Sequence, residues 1–477
     1  MKNNLVNFQL KSVCALSDPQ LESIETIIDP KNEKHYRVGQ KPLTDAPSGT
    51  ARILNTVIGE DGLPWDLGCY YLIYLTVYEA DLASISKYAT SLSEFYDFCR
   101  DGGFDPLLDI CSKRNRPIFR FRDHLQRSVR DGLIVGTTAN GKIGDVVRFF
   151  RWLMEDQNYS FKNPPFTNNS MFISFAKGEG KIGHKLVVST DARIKSFPKP
   201  MLPSEDVIMD DGRLRPLPAL EQEALINILE NHKNREMELI FLFALSTGAR
   251  IQSVLTLRHQ HFRVEADPNS FVPLATGWGT LVDTKAAKKD VLMIPPFIQN
   301  ALAIYSHSER ANNLFKKYCA KRKILPTDEA LGECYLFLTN QGNPLYDSKA
   351  DLKTFDPTQN RATLRLGDNV RKFIERQILP IMRKQFGEAY HFQFHDLRAT
   401  YGMNLVDECN KLVSKGEMDA SAVLPYVQTR LNHTDSKITE RYLGFRKRNQ
   451  QTSEILATYQ DTLQDRIALL LNRGVND

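Results

Sequence analysis

The feature that most constrains this chain is an interruption. Residues 181–215, running through SFPKPMLPSEDVIMDDGRLRP, are rich in Lys, Pro, Asp and Gly and hold no sustained hydrophobic period. Long stretches with apolar residues at helical spacing lie on both sides. A segment of this composition separates packed regions rather than running through one core. The chain has 477 residues, too many for one ordinary core. The expected organisation is an N-terminal extension over 1–65, a helical domain over 66–180, a linker over 181–215 and a second domain over 216–477. The extension reads as irregular, because turn signals such as DAPSG and EDGLPWD punctuate it.

Periodicity assigns the class of each domain. In DLASISKYATSLSEFYDFC, residues Leu82, Ile85, Ala89, Leu92, Phe95, Tyr96 and Cys99 share one helical stripe. GKIGDVVRFFRWLMED repeats the pattern with Ile143, Val146, Val147, Phe150, Leu153 and Met154. Such stripes are core. Beyond the linker, LPALEQEALINILENH and REMELIFLFALS read as helices, and GTLVDTKAAKKDVLMIPP reads as strand, polar turn, strand. Helices resume from about 297, apart from a loop-rich stretch near 339–366. The fold class is therefore mainly α with a small β-sheet: a helical domain followed by a mixed α/β domain.

Composition excludes several classes. Hydrophobic content of 42% and charged content of 25% are those of a soluble globular protein. No run of about 18 apolar residues offers a membrane span, and the N-terminus lacks a secretory apolar core. Seven cysteines, scattered without a CxxC pair, point to reduced thiols in a cytoplasm. The net charge of +5 is mild, but its distribution is uneven. Residues 113–130 hold seven basic side chains, among them Arg114, Arg116, Arg120 and Arg122, against one acid, Asp123. A helical face of this kind suits a phosphate backbone, so these four arginines are candidate DNA contacts.

Unusual polar residues punctuate the second domain. STGAR ends an apolar helix, with Gly248 permitting a sharp turn before Arg250. Lys285 opens the polar turn of the expected hairpin, with Lys288 and Lys289 as competitors. In HDLRAT, His395 and Arg398 share one helix face. VLPYVQTRLNHT reads as a short helix burying Leu424, Val427 and Leu431, and Asn432 suits the left-handed conformation that ends helices. That turns His433 out of the helix, and Tyr442 follows nine residues later. Two arginines can clamp phosphate oxygens with planar forks. A tyrosine can attack the phosphorus, and a lysine can protonate the leaving oxygen. Guanidinium groups take the part a divalent ion plays elsewhere, so no metal or other cofactor is expected.

This ordered set resembles the tyrosine recombinase (phage integrase) family. TGARI is similar to its first arginine box, FHDLRATYGMNL to its second, and LNHTDSKITERYL to its third. The resemblance implies a core-binding domain and a catalytic domain forming a clamp around double-stranded DNA at specific sites. It implies strand cutting and rejoining through a 3′-phosphotyrosine on Tyr442, with Arg250, Arg398 and His433 on the scissile phosphate. His395 would be base or phosphate contact, and Lys285 the general acid. It further implies a homotetrameric synapse in a prokaryotic, nucleoid-associated setting, and a C-terminal helix beyond Tyr442 docking on a neighbouring protomer. Three departures stand out. Ser253 occupies a position where the family usually has a carboxylate, Asn432 replaces a usual glycine, and DECNKLVSKGEMDAS looks like an inserted loop. The rival readings are a DNA-binding protein of the same fold without activity, a type IB topoisomerase-like enzyme, and a metal hydrolase built on His391 and His395. The metal reading lacks the glutamate of an HExxH helix.

Overall fold

The computed structural model describes residues 5–16, 21–28, 34–40, 49–58, 62–78, 82–177, 181–194, 207–353 and 364–446. The described residues fall into two compact units, divided between 199 and 200. The expected C-terminal helix beyond 446 lies outside the described residues.

The first unit begins with strands, not the irregular chain expected for 1–65. Strand β1 (Leu5–Leu16) pairs antiparallel with β4 (Gly49–Val57), and β2 (Leu21–Ile28) with β3 (Lys34–Gln40). Ile and Thr in these segments favour the pleated backbone; β1–β3 lie before the quoted turn signals, and only β4 lies between them. Four helices follow: α1 (Asp66–Tyr78), α2 (Leu82–Asp101), α3 (Pro117–Arg130) and α4 (Gly136–Arg151). Ile85, Ala89, Leu92, Phe95 and Cys99 of α2 are fully buried, as are Val146 and Phe150 of α4. Tyr96 and Met154 pack at the edge of the same cluster. The helical pattern stops before 180. Asn168–Lys177 (β5) and Lys181–Thr190 (β6) form an antiparallel hairpin, so the segment expected as linker begins within a strand.

The second unit opens with a two-rung hairpin, β7 (Ile208–Met209) and β8 (Arg213–Leu214). Helices α5 (Ala219–Asn231), α6 (Arg235–Thr247) and α7 (Ile251–Leu255) follow. Helix α6 starts cleanly because the Asn234 side chain accepts the Met237 N–H at 3.2 Å. Its Leu239, Ile240, Phe241, Phe243 and Ala244 are buried at the centre of the unit. The hairpin expected over 279–296 is offset. Its first strand is β9 (Val272–Thr276), paired with β10 (Asp290–Ile294), and residues 277–289 are the connection. Gly277 and Gly279, at φ 91° and 83°, turn the chain away from the ladder before Leu281 and Val282 are reached. Helices α8 (Pro296–Ser306), α9 (Glu309–Arg322), α10 (Asp328–Glu333) and α11 (Lys349–Lys353) come next. A continuous helical run over 368–386 then holds α12 (Asp368–Phe373), one π-helical turn (Ile374–Ile378) and α13 (Leu379–Phe386).

Three helices end the described part of the unit: α14 (Asp396–Ser414), α15 (Ala420–Leu431) and α16 over 436–446. Most of the sequence read as an inserted loop is the last part of α14. Val406 and Cys409 continue its buried face, which is why the helix runs on. In α15 the buried positions are Val423, Val427 and Leu431, with Leu424 half-buried.

Candidate active site

The site is assembled where helices end. Helix α6 stops at Gly248, whose φ of 66° and ψ of 14° are left-handed. Arg250 caps the start of α7 immediately afterwards. A β-carbon on Gly248 would meet Tyr401 Cδ1 at 2.5 Å, so the turn needs glycine for space as well as for conformation. Helix α15 ends at Asn432 with φ 48° and ψ 47°, the left-handed cap expected from the sequence. That cap directs His433 inward, where it is 7% exposed. His395 stands at the N-cap position of α14 without a side-chain capping bond, and Arg398 follows on its first turn, 4% exposed.

Tyr442 lies on α16 and is fully buried, despite its polar and basic neighbours in sequence. Its ring packs against α14 at Gly402, where a β-carbon would stand 2.5 Å from Tyr442 Cε1. It belongs to a cluster that includes Ile208, Leu214, Tyr401, Val427 and Leu431.

Two residues that sequence reasoning left in the linker sit at the centre of the site. Asp210 Oδ2 accepts from Arg398 Nε at 3.1 Å and from the Tyr442 hydroxyl at 2.8 Å, and lies 3.1 Å from His433 Nε2. Asp211 accepts from Arg250 Nη2 at 3.1 Å and from Lys285 Nζ at 2.6 Å. The Asp-Gly step between short apolar strands was the available signal, because it marks a tight hairpin. Thr439 was also missed. Its hydroxyl lies 3.0 Å from His433 Nδ1 and fixes the ring from behind.

Each nitrogen of the Arg398 guanidinium donates a hydrogen bond. Besides Asp210 it donates to the Gly248 carbonyl at 2.9 Å and the Leu431 carbonyl at 2.5 Å. It thereby ties the ends of α6 and α15 together. Arg250 is less complete: its Nε is buried with no hydrogen-bond partner. Lys285 opens a 3₁₀ turn in the β9–β10 connection and meets the same carboxylate as Arg250. Lys288 instead reaches the Asn432 carbonyl at 3.3 Å. Ser253, 5% exposed, donates to the Asp283 carbonyl at 2.7 Å. It braces the chain two residues before Lys285, so a hydroxyl acts as the brace at the position where a carboxylate was expected.

Burial and charge act together on the electrostatics. Burial alone raises the Asp210 carboxyl, but hydrogen bonding from His433 and the charge of Arg398 pull it far below the usual carboxylate range. The Tyr442 phenol is pushed well above its ordinary value, first by burial and then by the Asp210 charge. His395 is pulled down to about 4 by burial and by the adjacent Arg398 and Arg250, so it is neutral near pH 7. Burial, then the Arg398 charge, also lowers Arg250. Among the described residues no group of three or more His, Cys, Asp or Glu is placed to hold a metal ion.

The four arginines named as DNA contacts lie in the first unit and differ from one another. Arg114 is exposed. Arg116 donates to the carbonyls of Ile110, Cys111 and Pro164. Arg120 stacks 3.8 Å from the Phe104 ring centroid, and Arg122 pairs with Asp123 at 2.7 Å. Among the described residues no helix is long and apolar enough to cross a membrane.

No protein-family model and no curated protein sequence matches the chain. Solved structures similar to it include the XerH site-specific recombinase bound to difH substrate in a pre-cleavage complex. That pair shares 16% identity and a TM-score of 0.41, over 79% of this chain and 81% of the other. The Tn1549 transposon integrase in complex with circular intermediate DNA shares 14% identity and a TM-score of 0.41, over 79% of this chain and 94% of the other. Likeness at that level leaves the functional reading to rest on the residues themselves.

Proposed function

We propose that this chain is a site-specific DNA recombinase of the tyrosine recombinase type, cutting and rejoining duplex DNA through a 3′-phosphotyrosine on Tyr442. One observation carries the reading: Arg398, His433 and the Tyr442 hydroxyl converge on one carboxylate oxygen, while Arg250 and Lys285 converge on the next carboxylate. A carboxylate and a phosphodiester ask the same of their surroundings, namely cationic donors around anionic oxygens.

With a scissile phosphate at that point, Arg250, Arg398 and His433 stabilise the charge that builds on the nonbridging oxygens. Single donors of this kind are each worth about 10²–10³ in rate. Tyr442 Oη attacks phosphorus, and the phenolic proton passes to His395, whose neutral imidazole is able to accept it. The phosphorus–O5′ bond breaks, and Lys285 protonates the departing oxygen. The phosphotyrosine keeps the bond energy, so the free 5′-hydroxyl of a partner strand reverses the step without ATP. Exchange between two duplexes uses four such sites, hence a homotetramer around paired DNA sites. Arg114, Arg116, Arg120 and Arg122 of the first unit are the proposed contacts to the DNA backbone.

The test is a nicked suicide substrate drawn from a random-sequence pool. Wild type should accumulate a denaturation-stable protein–DNA adduct, and Tyr442→Phe should form none while still binding DNA. Relaxation of any supercoiled plasmid, with no sequence preference, would instead favour a topoisomerase. Binding without an adduct in wild type would leave only an inactive DNA-binding protein.

A further inference from the structure

The hairpin that carries Asp210 and Asp211 has no part in the proposed chemistry, yet it fills the place where that chemistry happens. Asp210 Oδ2 takes hydrogen bonds from Arg398 and Tyr442 and lies within reach of His433 Nε2. Asp211 takes those of Arg250 and Lys285. A phosphate and a carboxylate of like charge cannot share these donors. With Asp210 seated, Tyr442 has no exposed surface.

We infer that the Ile208–Leu214 hairpin is a displaceable plug, holding two carboxylates in the phosphate site of the DNA-free chain, so that DNA must eject them to reach Tyr442. This rests on the phosphate-handling reading above and adds a built-in restraint to it.

Three further observations fit a plug better than a fixed part of the site. The hairpin has only two ladder pairs, Ile208–Leu214 and Met209–Arg213, and so short a ribbon has little stability of its own. Its tip turns through Asp211 at φ 56° and Gly212 at φ 152°, so the acids sit at the point of a tight reversal. Its fit is also incomplete, since Arg250 Nε stays buried without an acceptor. A phosphodiester has oxygens to spare for that donor. The plug is held by the seating of Ile208 and Leu214, each 1% exposed, by these ion pairs and by the Gln393 side chain, which donates to the Arg213 carbonyl at 3.2 Å. Arg441 adds a hydrogen bond to the Met209 carbonyl from the same helix as Tyr442. Release of the tip is thereby linked to the segment that bears the nucleophile.

The experiment uses full-length chains: wild type, Asp210→Ala/Asp211→Asn, and Asp210→Asn alone. Asparagine is chosen at 211 because it tolerates the left-handed backbone there, and the single variant guards against a double variant that does not fold. A control neutralises the exposed Glu265 and Glu388, as Glu265→Gln/Glu388→Gln. Affinity for a non-specific duplex is measured against salt, and melting temperature against inorganic sulfate. If the plug is right, the double variant binds duplex at least about tenfold tighter than the control. Its salt slope steepens by about one unit per freed cationic contact. Sulfate at low millimolar concentration raises the melting temperature of both Asp210 variants by more than it raises that of wild type or the control. A weaker or unchanged affinity, with no such extra sulfate response, would overturn the inference. So would slower adduct formation by Asp210→Asn, since that marks Asp210 as a base for Tyr442. The two readings fail separately. A Tyr442-dependent adduct with no gain in the double variant removes the plug and keeps the recombinase. Extra sulfate stabilisation of the variants, with no adduct from any chain, keeps the plug and removes the recombinase.

Discussion

Replacing Gly248 by alanine tests how the turn holds the site together. The residue has φ 66°, and an L-residue there costs about 1–2 kcal/mol from backbone sterics. Its new β-carbon would also stand 2.5, 3.2 and 3.4 Å from Cδ1, Cε1 and Cγ of Tyr401. That ring is 8% exposed and packed in the cluster around Tyr442. Overpacking of this kind adds about 1–3 kcal/mol, for a total of about 2–5 kcal/mol. Gly416→Ala is the control, because Gly416 also has positive φ, at 75°, but nothing within 4 Å of its β-carbon. It should show the backbone part alone. Urea unfolding of both variants reads the difference directly. Because the Gly248 carbonyl accepts from Arg398 and Arg250 lies two residues on, Gly248→Ala should also lower DNA adduct formation by about tenfold or more. Equal stability losses for the two variants, or a Gly248→Ala chain with full activity, would refute the reasoning that this turn positions both arginines against a packed ring.

Ser253→Ala should cost about 1 kcal/mol through loss of its bond to the Asp283 carbonyl, and should slow strand cleavage more than DNA binding, because the brace leads to Lys285; equal effects on both steps would count against it. Arg114→Ala should flatten the salt dependence of DNA binding by about one unit, whereas Arg116→Ala should chiefly lower the melting temperature, because its guanidinium serves three carbonyls. Acid should weaken the fold early. His259, His261 and His395 are each pulled down to about 4, first by burial, while the unfolded chain titrates near 6.5. Between those values the unfolded state binds more protons, so stability falls as pH drops from about 6.5 toward 4. The depressed Asp210 carboxyl adds its loss from the ordinary carboxylate range downward, where the unfolded chain's carboxyl protonates and the folded one stays charged. A melting temperature constant from pH 7 to 5 would contradict the burial of these rings.

The helices were legible in the sequence because their apolar faces repeat at the helical period. Ile85, Ala89, Leu92, Phe95 and Cys99 of α2 and Ile143, Val146, Val147 and Phe150 of α4 are buried as their spacing implied, while α4 also buries Ala139, Asp145 and Phe149 outside that stripe; the left-handed cap at Asn432 was read as well. The errors share a cause: short strands leave little period to read. The N-terminal strands were lost among turn residues, β9 was misplaced by several residues, and the two-rung hairpin at 208–214 was submerged in a segment whose composition says linker. That last miss concealed Asp210 and Asp211, since an acidic pair in a polar stretch looks solvated until its partners are located 39 to 232 residues away. Burial of Tyr442 was equally hidden. The residues before it are mostly polar, and much of the apolar surface that covers it comes from α14, α15 and the hairpin, with Phe445 from its own helix.

The most direct measurement is to isolate a covalent DNA adduct, digest it with protease and nuclease, and identify the modified residue and the linkage by mass spectrometry. The expected result is a nucleotide joined through its 3′-phosphate to Tyr442. A nucleotide on any other residue, or a 5′-phosphate linkage, would contradict the assignment of Tyr442 as the nucleophile of this site.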